Sequence, residues 1–157
     1  MAQTIFIKTP LGIAKIVGNE NGISIISILS EAEISATIPD VLKEAVLQLN
    51  DYFEGKRTDF TFKLNPKGTV FQQKVWQELL QIPFGKTISY MDLSKRLGDI
   101  KAIRAVASAN GKNPLWIVIP CHRVIGTNGS LTGYAGGLWR KKWLLEHEIP
   151  TNQQSLF

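Results

Sequence analysis

A change of hydrophobic period partway along the chain constrains the fold more than any other feature of the sequence. Over the first thirty residues the period is two. Ile5 and Ile7 alternate with Phe6 and Lys8, Pro10-Leu11-Gly12 marks a turn, and residues 13–17 resume the pattern. After Asn19-Glu20-Asn21-Gly22 the alternation runs from Ile23 through Ile25 to Leu29. Period two places one set of side chains on one face of a strand, and a short Asn/Gly connection joins antiparallel neighbours, so this segment predicts an antiparallel sheet. From Pro39 to Glu54 the period lengthens to that of a helix. Val41, Leu42, Ala45, Val46, Leu49 and Phe53 share a stripe, Pro39 suits the first turn, and Gly55 suits the stop. Residues 60–64 read as one more strand.

Asn65-Pro66-Lys67-Gly68 is the natural boundary, because turn residues coincide there with a change of charge. Residues 1–65 carry six Lys/Arg against eight Asp/Glu, whereas residues 66–157 carry twelve against five. The expected organisation is a small α/β domain over 1–65, built on the antiparallel sheet, and a mostly helical domain over 66–157. The fold class is α/β in the α+β sense. A half with a net charge of +7 suits an anionic partner, nucleic acid being the usual one, although a solubilising surface gives the same count.

The second half reads as short helices. Thr69-Val70-Phe71-Gln72 has capping-box form and opens a helix to about Leu80, before Pro83 and Gly85. Ser89-Tyr90-Met91-Asp92 opens another through Leu97. Gly98-Asp99 turns the chain into a third, from about Lys101 to Asn110. Two short helices joined by a glycine-containing turn fit a helix-turn-helix. The third helix is made mostly of small residues, with Arg104 as the one long side chain near its middle. Base readers usually carry several Arg, Asn or Gln. A small-residue face instead lets a helix press closely on another surface, either a neighbouring helix or a groove gripped with little sequence preference.

Composition narrows the setting. No run approaches the roughly 18 apolar residues of a membrane span, and the N-terminus lacks the form of a secretory signal. The single cysteine, Cys121, can form neither an internal disulfide nor a zinc cluster. The chain is therefore expected to be cytoplasmic, free of membrane, metal and cofactor, with its thiol reduced.

That cysteine stands in the most informative stretch. An apolar run of strand type, Asn113-Pro114-Leu115-Trp116-Ile117-Val118-Ile119, ends in Pro120-Cys121-His122-Arg123-Val124. Buried cysteines are usually inert packing residues. Here a basic residue and a cation follow directly, and the nucleophilic form of cysteine is the thiolate that such neighbours favour.

Pro120-Cys121-His122-Arg123-Val124 resembles the active-site signature of the O6-alkylguanine-DNA alkyltransferases (methylated-DNA–protein-cysteine methyltransferases). Thr87-Ile88-Ser89-Tyr90 and Arg104-Ala105-Val106 resemble that family's helix-turn-helix segments, and Asn113-Pro114 its asparagine hinge. Gly133-Tyr134-Ala135-Gly136-Gly137-Leu138 resembles its active-site loop, and Lys141, Leu144-Leu145 and Glu148 fit the helix that follows. The agreement spans roughly residues 69–149.

The resemblance implies direct reversal of damage in double-stranded DNA by a monomer, in one irreversible turnover per chain. The alkyl group passes from O6 of guanine to Cys121, with O4-alkylthymine as the alternative substrate. It implies that Glu148 polarises His122, which draws the thiol proton through a water, that Tyr90 donates to the leaving guanine, and that Asn113 braces the site. Pro120, Val124, Tyr134, Ala135 and Gly136 would shape the guanine pocket. Arg104 would fill the gap left by the extruded nucleotide, with Ser89, Lys101, Ala102, Ala105 and Arg123 also touching DNA. Ala135 stands where some relatives have a hydroxyl residue, and the absence of Cys and His before Cys121 excludes the N-terminal zinc of others. Two further classes share some of these features. One is a catalytically silent damage-recognition module. The other is a cysteine hydrolase, which the adjacency of Cys121 and His122 disfavours because hydrolase partners are usually far apart in sequence.

Overall fold

The computed structural model describes residues 1–126, 134 and 136–149. They form two compact units of an α+β fold: Met1–Lys67 with Pro114–Val118, and Gly68–Asn113 with the chain from Ile119 onward.

In the first unit β1 (Gln3–Thr9), β2 (Gly12–Asn19) and β3 (Gly22–Leu29) make an antiparallel meander in that order. Ile5, Ile7, Ala14 and Ile16 point from one face onto α1 (Asp40–Phe53), which returns Leu42, Ala45, Val46, Leu49 and Tyr52. Each Ile, Leu or Val among them, once buried, stabilises the unit by about 1.5–3 kcal/mol before ordering costs.

The period-two reading holds in β1 and β2 and slips in β3. Gly18 pairs with Ile23 and Val17 with Ile25, so Ser24 is an extra residue, its hydroxyl donating to the Val17 carbonyl at 3.3 Å. A bulge moves every later residue to the opposite face. Ile26 therefore enters the core and Ile25 faces out. Residues 60–64 form no strand either. Leu64 makes a single bridge to Ile23, and the backbone of Thr61 pairs with a side chain: its N–H donates to Gln48 Oε1 at 2.9 Å.

The apolar run before Cys121 is likewise a turn rather than a strand. Leu115 bridges to Ile26, while residues 115–119 are all buried. Prolines at both ends lack the ladder N–H, and Ile117 takes φ of 72°. Left-handed backbone is unfavourable for a β-branched residue, by about 1–3 kcal/mol.

The second unit begins with α2 (Val70–Leu79), closed by the expected reciprocal cap between Thr69 and Gln72. The two-residue strand β4 (Ile88–Ser89) leads into α3 (Tyr90–Arg96), where the Ser89 hydroxyl accepts from Asp92 N–H. After Gly98, whose φ of 90° suits a residue without Cβ, the third predicted helix starts later than expected. Asp99 caps a 3-10 turn at Ile100–Ala102, and α4 runs over Ile103–Gly111. Together α3 and α4 form the helix-turn-helix pair, and Trp76 Nε1 ties α2 to it by donating to the Ala109 carbonyl at 2.9 Å. A 3-10 turn at Cys121–Arg123 continues into β5 (Val124–Ile125), and α5 (Leu138–Glu148) follows. Among the described residues no helix is long and apolar enough to cross a membrane.

Candidate active site

Two short strands set the site. β4 pairs in parallel with β5, Ile88 opposite Val124 and Ser89 opposite Ile125. The start of α3, at Tyr90, is thereby held alongside the segment that carries the Cys121–Arg123 turn. The chain leaves the second unit after Asn113 and re-enters it at Ile119. Asn113 Nδ2 spans those ends by donating to the Ile119 carbonyl at 2.6 Å, and it reaches Cys121 Sγ at 3.2 Å. One amide thus fixes both the loop closure and the sulfur.

Cys121 is 7% exposed and His122 not at all. Nε2 of His122 lies 2.7 Å from Glu148 Oε2. Arg123 completes the group: its Nε donates to Glu148 Oε1 at 2.7 Å, its Nη2 to Oε2 at 3.1 Å, and its Nη1 to the Ile82 carbonyl at 2.7 Å. The forked geometry is the strong, oriented form of a guanidinium–carboxylate pair. The Arg123 guanidinium also lies over the Phe84 ring, 5.8 Å from its centroid. Arg123 is 6% exposed, which corrects its expected place among the DNA contacts. Three of its five N–H groups go to Glu148 and Ile82, so its place is inside the cluster, where it orients the carboxylate.

Burial sets the protonation states. It pushes the Cys121 thiol above its ordinary value, with Asn113, Lys141 and Tyr134 each pulling back part of the way. It pushes His122 down, against the attraction of Glu148. It also opposes the charge on Glu148, but His122 and Arg123 together outweigh it and hold that carboxyl well below the carboxylate range. An ionised Glu148 only accepts, so His122 Nε2 carries the proton and Nδ1 keeps the lone pair. That Nδ1 is buried and has no hydrogen-bond partner among the described residues.

Lys141, matched to the family's last helix in the sequence but given no role there, is a further candidate for the site. It is fully buried, burial brings it down to about 8, and it interacts with Cys121 charge to charge. The signal was present in the spacing. Lys141, Leu144, Leu145 and Glu148 are all buried at helical spacing in α5, so a lysine occupies a core stripe.

The remaining expected residues fall into two groups. Pro120 and Val124 are buried on either side of the Cys121 turn. Gly136 is buried against Tyr134, and a Cβ there would sit 3.1 Å from the Tyr134 ring. Tyr90 is half-buried, and its hydroxyl accepts from Asn110 Nδ2 at 3.2 Å. On α3–α4, Lys101, Arg104 and Ala105 are exposed, while Ser89 and Ala102 are half-exposed. Ala135 and Gly133 lie outside the described residues. No three His, Cys, Asp or Glu side chains among the described residues could hold a metal ion.

Residues 70–149 match the DNA-binding domain of 6-O-methylguanine DNA methyltransferase, and residues 4–66 match the ribonuclease-like domain of the same enzyme. A methylated-DNA–protein-cysteine methyltransferase of Methanosarcina acetivorans is 42% identical over 155 residues, covering 94% of this chain and 98% of that one. The Mycobacterium tuberculosis O6-methylguanine methyltransferase superposes with a TM-score of 0.84 at 39% identity, over 100% of both chains. A second structure from that organism, OGT in complex with DNA, gives 0.83 at 42% identity, covering 95% of this chain and 96% of the other. Matched along nearly its whole length, with its one cysteine directly before the buried cluster of His122, Arg123 and Glu148, the chain belongs to the methylated-DNA–protein-cysteine methyltransferase family.

Proposed function

We propose that this chain repairs double-stranded DNA by taking the alkyl group of O6-alkylguanine onto Cys121, each molecule acting once. The observation that carries the reading is the placement of the sulfur directly before a buried ionic cluster. Cys121 is held by Asn113, followed directly by a neutral His122 whose other nitrogen is fixed on an ionised Glu148.

In this reading His122 Nδ1 takes the thiol proton through an intervening water. The imidazolium formed is stabilised by Glu148, and Lys141 stabilises the thiolate. Sulfur then attacks the alkyl carbon as the C–O6 bond breaks, and its electrons pass to the purine. Tyr90 gives a proton to the departing guanine, because a neutral base leaves more readily than an anion. The proton gained by His122 balances the one lost by Tyr90, and solvent exchange restores both. The product thioether is permanent, since a thiolate leaves saturated carbon poorly and no second cysteine is present to accept the group.

An alkylated O6 lies within the base stack, so the nucleotide must be extruded at a cost of about a few kcal/mol. The exposed Arg104, Ala105 and Lys101 on α3–α4 suit a close-lying helix with one side chain to fill the gap. The first unit, on this reading, is a support for the second. A monomer fits a site built entirely within one chain's second unit. The cytoplasm fits a chemistry that needs its thiol reduced.

The test is incubation of the protein with excess duplex DNA carrying O6-[methyl-14C]guanine, followed by peptide mass analysis. Transfer should level off at one methyl group or fewer per chain, located on the Cys121 peptide, and Cys121→Ser should bind DNA without transfer. Binding with no transfer would favour a silent recognition module, and repeated turnover would overturn the reading.

A further inference from the structure

We infer that Asn110 is a positioning residue for the Tyr90 hydroxyl, directing its proton outward to the departing base. The inference rests on the function proposed above and adds a residue to it. Asn110 lies in the last turn of α4, three residues before Asn113, and is 3% exposed. A buried amide is unusual in a helix whose other inward residues are Val106 and Ala109, because burying its polar atoms is unfavourable unless they are bonded. Only part of that requirement is met. Nδ2 donates to Tyr90 Oη at 3.2 Å, while Oδ1 has no hydrogen-bond partner among the described residues.

The direction of this hydrogen bond matters more than its strength. A phenol has one proton, and a neighbour that accepts it takes it out of use. An amide N–H that donates to the phenol oxygen occupies an acceptor site and leaves the proton for another partner. It also stabilises negative charge on that oxygen as the proton departs. The main chain of Tyr90 is fixed as well. Tyr90 opens α3 behind the Ser89 cap, and its carbonyl accepts from the Ser94 hydroxyl at 2.9 Å. The residue is thus tethered at both ends, its main chain by Ser89 and Ser94 and its oxygen by Asn110. A donor frozen in place gains in effectiveness, because its orientation need not be found anew at the moment of transfer.

Asn110→Leu removes the donor at similar size, and Asn110→Asp replaces it with an acceptor that captures the phenol proton. With O6-benzylguanine as a free-base substrate, which needs no extrusion, Asn110→Leu should slow transfer to Cys121 about fivefold, the worth of one hydrogen bond. Asn110→Asp should slow it more. Both deficits should shrink for a benzylated purine whose leaving anion is less basic and needs the proton less, an effect that a merely loosened fold would not produce. In a Tyr90→Phe background, Asn110→Leu should have no further effect. Wild-type protein run alongside separates the two failures. If it transfers no benzyl group, the proposed function falls. If it transfers normally while the deficits are absent, insensitive to the leaving group or additive with Tyr90→Phe, the role of Asn110 falls. A rate for Asn110→Asp equal to wild type would show that the amide accepts from Tyr90, reversing the direction argued here.

Discussion

The two units bury polar side chains for opposite purposes. In the first, the buried polar residues are Thr9 and Gln48, both neutral, each replacing main-chain hydrogen bonds that the irregular segments cannot supply. In the second they include His122, Arg123, Lys141 and Glu148. Removing charges from water is unfavourable even when they are paired, and apolar residues of the same shape are often as stable or more so. Among the described residues the first unit buries no charged side chain. The second accepts a loss of stability in order to hold a thiol among groups that move its proton.

The largest effect should follow from breaking the second unit's charge balance. Glu148→Gln leaves Arg123 buried without its anion, a loss of about 3–5 kcal/mol, measurable by urea unfolding. It should also slow transfer to Cys121, since a protonated His122 loses its partner. The pH dependence has a definite sign. The folded-state value of Glu148 lies below its ordinary one, so its stabilisation is present above the ordinary carboxyl range and is lost as pH falls through the folded value. His122 is also held low, so acidification below about 6.5 favours the unfolded chain, which binds the proton more readily. Wild type should therefore lose stability on the acid side, and Glu148→Gln should flatten the carboxylate part of that loss. An unchanged acid limb in the variant would break the contrast between the units.

Lys141→Met sharpens the same contrast in the other direction. Burial brings this lysine down to about 8, so below that pH the folded protein holds an ammonium that is better accommodated in the unfolded chain. The variant should be more stable by about 2 kcal/mol at neutral pH. The gain should fade as pH rises from about 8 toward the free lysine value, where the unfolded chain also loses its proton. Transfer to Cys121 should slow. A variant both more stable and equally fast would remove Lys141 from the chemistry.

Gln48→Ala in the first unit should cost about 0.5–1.5 kcal/mol, because its hydrogen bonds to the exposed Thr61 are lost while the Thr61 N–H and hydroxyl can turn to water. Under conditions where it stays folded, its transfer rate should match wild type; a slowed rate would mean that the first unit does more than support the second. Arg104→Ala should change stability least, within about 0.5 kcal/mol, as an exposed position away from special features does. It should slow transfer from duplex DNA far more than transfer from free O6-benzylguanine. Equal slowing of both would make Arg104 structural.

The sequence by itself determined what depends on neighbours along the chain. Period two gave β1 and β2, the 3.6-residue stripe gave α1, and the Thr69 and Ser89 caps placed α2 and α3, because each of these is settled within a few residues. The ordered motifs around Cys121 likewise identified the family. Tertiary structure decided what depends on distant partners. Only the pairing with β2 reveals that Ser24 is extra and Ile25 faces out. The apolar stretch before Cys121 reads as a strand until its two prolines and its single bridge to Ile26 turn it back. Arg123 beside a nucleophile in a basic half looks like a DNA contact. Only α5, which brings Glu148 to it from 25 residues away, makes it an internal clamp. The same helix buries Lys141, to which the sequence gave no role, and brings its charge to bear on the sulfur. Charge on a side chain is written in the sequence, but whether it meets water or a buried partner is fixed only when helices far apart in the chain pack together.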